Sequence, residues 1–306
     1  MKILVTGGAG FIGSHIVDRY IELGHEVVII DNLSTGQKKF IHPKAVFYEV
    51  DIRDRKEIAT IFSREKPLVL NHHAAQMDVR KSVADPIFDA EVNIIGFLNL
   101  LESGRHHGLT RVIFASSGGT VYGDAEKVPT LETSPTRAIS PYGISKLTGE
   151  YYLNFYNKTY GMVTTSLRYG NVYGPRQNPH GEAGVVAIFT KSMLSGKTPT
   201  IYGDGLQSRD FVYVGDVVDA NAKALIGPSL TVNIGTGQPS TVNQIFTEIA
   251  QLTGFSKQPV FGPPRAGEQR QSLLDIHKAY QKMAWKPQVS LHDGLKKTVA
   301  FFKNEN

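Results

Sequence analysis

Tyr142 and Lys146 stand four residues apart in Ser140-Pro141-Tyr142-Gly143-Ile144-Ser145-Lys146. That spacing puts them on one face of a helix, one turn apart. Ser140 suits an N-cap and Pro141 the first helical position, so a helix is expected to begin there. A phenol beside an ammonium is a tunable acid/base. The positive charge favours phenolate and is expected to lower the tyrosine pKa from about 10 toward neutral. Such a tyrosine can take a proton from an alcohol while another group accepts a hydride. A chain of this composition holds roughly one Tyr-x-x-x-Lys by chance, so the pair needs a hydride acceptor and a phosphate site beside it.

The N-terminal stretch supplies both. Lys2 to Val5 reads as a buried strand, Thr6-Gly7-Gly8-Ala9-Gly10-Phe11-Ile12-Gly13 as a glycine turn opening a helix that runs to Leu23, and Glu26 to Ile30 as a second strand ending at Asp31. Strand, glycine turn, helix, strand and terminal acid form a dinucleotide-binding unit. The glycines let backbone N–H groups approach a pyrophosphate at a helix N-terminus. Asp31 is placed to accept from both ribose hydroxyls of an adenosine, which favours NAD over a 2′-phosphorylated cofactor.

Further strands are expected at Ala45–Val50, Pro67–Asn71, Arg111–Ala115 and Val163–Leu167, with helices at Asp54–Glu65 and Pro86–His107. The alternation predicts an α/β fold, a doubly wound, mostly parallel Rossmann sheet with helices on both faces, over residues 1–170. The chain is expected to return to that domain near 209–235. Residues 171–306 read mainly as a smaller α/β substrate lobe, with a Gly/Pro/Asn-rich loop at Asn171–Gly184, strands at Thr200–Tyr202 and Phe211–Val214, and helices at Val185–Ser195, Val242–Leu252 and Leu291–Phe302.

Composition narrows the classes. The 306 residues contain no cysteine, which rules out disulfides, thiolate metal sites and a cysteine nucleophile, and fits a reducing compartment. The net charge of +5 is scattered, which argues against a nucleic-acid surface. No apolar run approaches a membrane span and the N-terminal one is too short for a signal peptide, so a cytoplasmic protein is expected. His72 and His73 have no partner at ligand spacing, and no metal site is expected.

Taken together these motifs resemble the extended short-chain dehydrogenase/reductase family and, within it, the UDP-sugar 4-epimerases. The likeness runs end to end: the glycine turn, Asp31-Asn32-Leu33, Asp51-Ile52, Ala74-Ala75, Val121-Tyr122-Gly123, Tyr142 with Lys146, Arg168-Tyr169-Gly170-Asn171-Val172-Tyr173-Gly174-Pro175-Arg176 and Arg209-Asp210-Phe211-Val212. The resemblance implies a retained NAD held by Gly7, Gly10, Phe11, Ile12, Gly13, Asp31 and Asn32, with Asp51 and Ile52 at the adenine. Ala74, Ala75, Gln76 and Asn93 would line the cofactor, and Tyr169 would lie beside the nicotinamide. It also implies Tyr142 as acid/base at the sugar O4, with Lys146 lowering its pKa and holding the nicotinamide ribose. Asn171, Arg209 and Arg265 match residues on the substrate diphosphate, a task suited to the planar arginine fork. Tyr202 matches a residue packed on uracil, and Glu268 one that binds the uridine end. Relatives pair the helices after Pro86 and Pro141 across a two-fold axis, which implies a homodimer.

Gly118 departs from the family, which places Ser or Thr there to bond the sugar O4. Ser117 is the preferred replacement, with Thr120, water or Tyr142 alone left open. Gly119-Thr120 lacks the acids of 4,6-dehydratases and decarboxylases, and Asn178 stands where uronic-acid epimerases tend to carry arginine, so a neutral hexose is expected over UDP-glucuronate. Ser272, four residues after Glu268, matches a gatekeeper that is a bulky tyrosine in narrow relatives. A serine there implies admission of UDP-GlcNAc/UDP-GalNAc beside UDP-Glc/UDP-Gal. The rival readings are a net nucleotide-sugar oxidoreductase and a non-catalytic dinucleotide-binding regulator.

Overall fold

The computed structural model describes residues 1–179, 184–264 and 269–305. The chain begins β1 (Lys2–Thr6), α1 (Phe11–Glu22), β2 (Glu26–Asp31), β3 (Val46–Glu49), α2 (Arg55–Glu65) and β4 (Val69–His72). There follow α3 (Val79–Ala84), α4 (Pro86–Ala90), α5 (Phe97–His106), β5 (Arg111–Ser117), α6 (Pro141–Tyr160) and β6 (Val163–Tyr169). Next come β7 (Asn171–Tyr173), α7 (Val185–Leu194), β8 (Thr200–Tyr202), β9 (Ser208–Tyr213), α8 (Val214–Ala224) and β10 (Leu230–Ile234). The C-terminal elements are β11 (Pro239–Thr241), α9 (Val242–Thr253), β12 (Val260–Gly262), β13 (Gln271–Ser272), α10 (His277–Met283) and α11 (Leu291–Asn304).

Seven strands form one sheet in the order β10-β6-β5-β4-β1-β2-β3, and the β1–β2, β1–β4, β2–β3 and β4–β5 ladders are parallel. This is the doubly wound α/β sheet expected from the strand–helix alternation. The inner strands β1, β4 and β5 and their neighbour β2 are covered on both faces, which is why they read as largely continuous apolar runs. Ile3, Leu4, Val5, Val28 and Ile30 are buried, and Leu4, Phe62, Phe97, Leu101, Phe114 and Leu153 share one cluster. Each such side chain contributes about 1.5–3 kcal/mol by leaving water.

The α6 start is where the sequence places it. Ser140 Oγ accepts from Gly143 N at 3.2 Å, Pro141 follows, and Gly161 closes the helix in the left-handed region. A Cβ on Gly149 would sit 2.6 Å from Phe114 Cζ, so glycine lets α6 lie directly on β5.

Three expectations need correction. Pro86–His107 is not one regular helix: Glu91–Gly96 is a π-helical turn between α4 and α5. The strand expected from Phe211 starts at Ser208, and Val214 already opens α8. The loop after Gly170 holds β7, which pairs with β9.

The chain divides into two compact units. The first is 1–123, 136–168 and 218–232; the second is 124–135, 169–217 and 233–306. The return segment thus begins at 218 rather than near 209. β9 falls in the second unit because it pairs with β7, β11 and β13 instead of joining the seven-stranded sheet. Residues 124–135 also belong there: Asn233 N donates to Glu132 Oε1, and Thr130 N to Leu273 O. The second unit's core gathers Tyr173, Phe189, Phe211, Ile245, Ile249 and Leu295. Among the described residues no helix is long and apolar enough to cross a membrane.

Candidate active site

The end of β1 makes a cradle. Gly7 has φ +69°, its N–H donates to Ile30 O, and its carbonyl accepts from Gly10 N at 3.0 Å. A Cβ on Gly13 would lie 2.1 Å from Gly7 O, so no side chain fits there. Gly10 caps α1 with extended backbone and no side-chain bond, which leaves the first-turn N–H groups of Phe11, Ile12 and Gly13 to a ligand or water. Asp31, buried at the end of β2, accepts from Ala9 N at 3.0 Å and Leu33 N at 2.8 Å. Burial raises its pKa against those two bonds. A carboxylate has about four acceptor sites, so lone pairs remain for a ribose diol. Asn32 donates to Asp51, whose pKa is lowered by its hydrogen bond with Arg53. Ile52 packs under Gly96, where a Cβ would meet it at 2.7 Å. Glycines without room for a Cβ, uncapped N–H groups and an under-used carboxylate fit NAD.

β4 leads into Ala74, Ala75 and Gln76. Thr6 Oγ1 accepts from the N–H groups of His73 and Ala74, so its proton goes to His72 Nδ1, 2.7 Å away. His72 stacks on Phe97 with ring centroids 4.5 Å apart and on Phe114 at 5.9 Å. Burial holds its pKa well below the usual histidine value and brings His73 to about 3, so both rings are neutral. Asn93, which the sequence suggests as a cofactor-lining residue, is turned to the protein. It accepts from Gln76 N at 3.0 Å and donates to Gln76 O and Asp89 Oδ1 at 2.9 Å.

On α6, Lys146 is buried, its Nζ 5.0 Å from the Phe114 ring centroid and 5.7 Å from that of Tyr142. Desolvation lowers its pKa to about 8, opposed by Asp89. The expected lowering of the Tyr142 pKa by Lys146 is not what the protein alone does. Burial, then the Asp89 charge, push it up, so the resting group is the neutral phenol. Ser117 ends β5 and is half-buried; the buried Thr120 hydroxyl has no hydrogen-bond partner among the described residues.

Sequence reasoning missed two acids. Asp89 lies four residues before Asn93. Glu150 lies one and two turns beyond Lys146 and Tyr142 on the same face of α6. It takes Arg168 in two bonds, Nε at 2.9 Å and Nη2 at 2.6 Å, and the hydroxyl of Ser116 at 2.5 Å. Arg168 also donates to the Tyr122 hydroxyl at 2.8 Å. Burial works against the Arg168 charge, but Glu150 raises its pKa overall. This clamp joins α6 to β5, β6 and the Val121-Tyr122-Gly123 turn.

In the second unit, Asn171 lies on β7, two positions along β9 from Arg209, and Ser272 of β13 pairs directly with Arg209. Asp210 anchors that strand by accepting from Thr236 N and Oγ1, Gly237 N and Leu274 N. Tyr169 is buried at the end of β6. Tyr202, on β8, borders a groove of about 670 Å³ with Asp204, Gln207, Phe261, Pro264 and Arg270. Arg265 and Glu268 lie outside the described residues.

A model of the NAD dependent epimerase/dehydratase family matches residues 3–235. The chain is 48% identical over 304 residues to a putative UDP-glucose 4-epimerase of Methanocaldococcus jannaschii, covering 99% of each chain. It superposes with TM-score 0.98 and 51% identity on a Thermotoga maritima UDP-glucose 4-epimerase solved with UDP-glucose, covering 100% of this chain and 99% of that one. A Thermus thermophilus UDP-glucose 4-epimerase in complex with NAD gives TM-score 0.95 at 44% identity, with 100% of both chains covered. The match to the family extends across most of the chain, and the relatives match it along its whole length; the chain belongs to the NAD dependent epimerase/dehydratase family.

Proposed function

We propose that the protein is a UDP-hexose 4-epimerase that interconverts UDP-glucose with UDP-galactose and UDP-GlcNAc with UDP-GalNAc. The observation that carries this reading is an unbroken run of contacts in the first unit. Tyr142 meets Lys146, Lys146 meets Phe114, Phe114 stacks on His72, and His72 is bonded to Thr6 at the mouth of the glycine cradle. Acid/base pair and dinucleotide cradle are thereby one construction.

NAD, held by the Gly7–Gly13 cradle and Asp31, would supply the acceptor and donor of the sugar C4 hydride and, when oxidised, a positive charge favouring phenolate. Tyr142 takes the O4 proton as the 4-keto sugar forms and gives it back on the return. Lys146, with a pKa near 8, is mostly protonated at neutral pH and stabilises the phenolate. Ser117 is the proposed hydroxyl at the sugar O4, and Thr120 is the second candidate because its buried hydroxyl lacks a partner among the described residues. Asn171, Arg209 and Arg265 are proposed for the diphosphate, Tyr202 and Glu268 for the uridine end. Ser272 beside Arg209 is the proposed gatekeeper, small enough to leave room for an acetamido group. Ile87 and Ile95 before α5, and Ile144, Tyr151 and Phe155 along one side of α6, are exposed apolar residues that support a homodimer through these helices.

The test is incubation with each of the four UDP-sugars and chromatography of the products. The matching 4-epimer is expected from every one. No turnover of UDP-glucose overturns the reading, and no turnover of UDP-GlcNAc removes its broader half.

A further inference from the structure

Asp89 is a fully buried acid that the proposed chemistry does not use. Its Oδ1 accepts from Gln76 Nε2 at 3.0 Å and Asn93 Nδ2 at 2.9 Å, and its Oδ2 accepts from Ser145 Oγ at 2.7 Å. One side chain therefore holds the Gln76 loop, the π-helical turn and the residue next to Lys146. Burying an acid carries a desolvation penalty that only hydrogen bonds or an opposite charge offset. Simple packing asks for no charge here, because a leucine-sized residue would fill the same space.

We propose that Asp89 is a positioning residue for the Tyr142–Lys146 pair, its carboxylate serving as the buried counter-charge that keeps Lys146 an ammonium while its hydrogen bonds fix α6 against the Gln76 loop. This rests on reading Tyr142 and Lys146 as the acid/base pair. The neighbours leave Asp89 the role. His72 and His73, from β4 and the residue after it, are neutral rings; Gln76 and Asn93 are uncharged; and β5 presents Phe114. Arg80 and Lys81 on α3 and Glu91 of the π-helical turn are exposed, where water screens them. Glu150, one turn beyond Lys146 on α6, also has a buried side chain but is taken by Arg168 in two bonds, so Asp89 is the buried carboxylate left to balance the Lys146 charge. Loss of the anion makes ammonium harder and phenolate easier to form, so both groups titrate at lower pH.

Asp89→Asn isolates the charge. The amide oxygen can accept from Gln76 and Asn93, and the amide nitrogen can donate to a rotated Ser145 hydroxyl, so the geometry survives. The readout is NMR titration of Lys146 in the purified protein labelled with [ε-13C]lysine, which needs no turnover. A wild-type midpoint near 8 is expected, moving down by about one pH unit or more in Asp89→Asn. Ser145→Ala removes a hydrogen bond and keeps the charge, and should leave the midpoint in place. Both limbs of the kcat pH profile should move to lower pH in Asp89→Asn. A wild-type midpoint below about 6 overturns the proposal without any variant, and so does an unmoved midpoint in Asp89→Asn. If the midpoint shifts as expected but no UDP-sugar is turned over, the functional reading fails and the electrostatic one stands.

Discussion

The most prominent charge clusters of the two units differ in burial. In the first, Asp89, Glu150, Arg168 and Lys146 are buried and bound into networks on regular helices and strands. In the second, Arg270 grips Asp204 in two 2.8 Å bonds at the rim of the Tyr202 groove, with both side chains more than half exposed. Buried charges set protonation and hold geometry because water cannot screen them; exposed ones can rearrange around different ligands at little cost. On the proposed reading, the contrast fits chemistry in the first unit and substrate choice in the second.

Tyr142→Phe is the most damaging way to probe that division. It removes the titratable oxygen and keeps the ring, and turnover should fall by about two to four orders of magnitude on every UDP-sugar. Initial rates with glucose and acetylglucosamine substrates check this, and near-normal turnover on either would break the assignment.

Glu150→Gln tests whether the buried network carries structure. It leaves the Arg168 guanidinium without its counter-charge, and breaking such a pair costs about 3–5 kcal/mol. The urea midpoint should drop accordingly, whereas Arg270→Ala should scarcely move it and should instead make substrate KM less sensitive to salt. Equal shifts in the two variants would erase the distinction between the units.

Ser272→Tyr sharpens the other side. A phenol in place of the hydroxymethyl group should cut kcat/KM for UDP-GlcNAc by about 10–200-fold and spare UDP-glucose, in keeping with discrimination by one group in a pocket. Equal loss on both substrates would place Ser272 in general binding. Comparing Ser117→Ala with Thr120→Ala is expected to show the greater slowing, about tenfold, in the first, since one lost hydrogen bond is worth about 0.5–1.5 kcal/mol. The reverse ranking would move the role to Thr120.

The smallest effect is on acid stability. The folded pKa of His73 is depressed from 6.5 to about 3, so its contribution is complete above pH 6.5 and is lost as pH falls toward 3. The unfolding midpoint should decline across that window, and less steeply in His73→Gln. A decline of unchanged slope would show that other groups govern it.

The same contrast decides what the sequence makes legible. The first unit's inner strands are largely continuous apolar runs, and the α6 start is marked by its cap and proline, so sheet and Tyr142 helix can be read directly. Asp89 and Glu150 cannot: a lone acid in a helical pattern looks like a solvated face, and its partners are set by distant residues, Ser145 for Asp89 and Arg168 for Glu150. The π-helical turn is equally silent, because Asn93 is held in position by Gln76 and Asp89 rather than by local propensity. In the second unit β11, β12 and β13 are two or three residues long, too short for any period to register. Resemblance alone points to Arg209, Ser272 and Tyr202 there, and the pairing of the first two comes from the register of β9 with β13.

The placement of β10 also matters for how the chain is made. β6 ends at Tyr169, yet its outer neighbour β10 starts at Leu230, and between them the chain builds β7 to β9 and α8. The return segment is further stitched in by Arg111 Nη1 donating to Ala224 O and Gly227 O, and by Asn71 Nδ2 donating to Asn221 Oδ1. During synthesis, β6 leaves the ribosome with an open hydrogen-bonding edge and must wait for those residues. A fragment ending near residue 170 would keep that edge exposed, inviting pairing with another nascent chain. The seven-stranded sheet is therefore no freestanding module: its last strand is delivered only after much of the second unit has been translated.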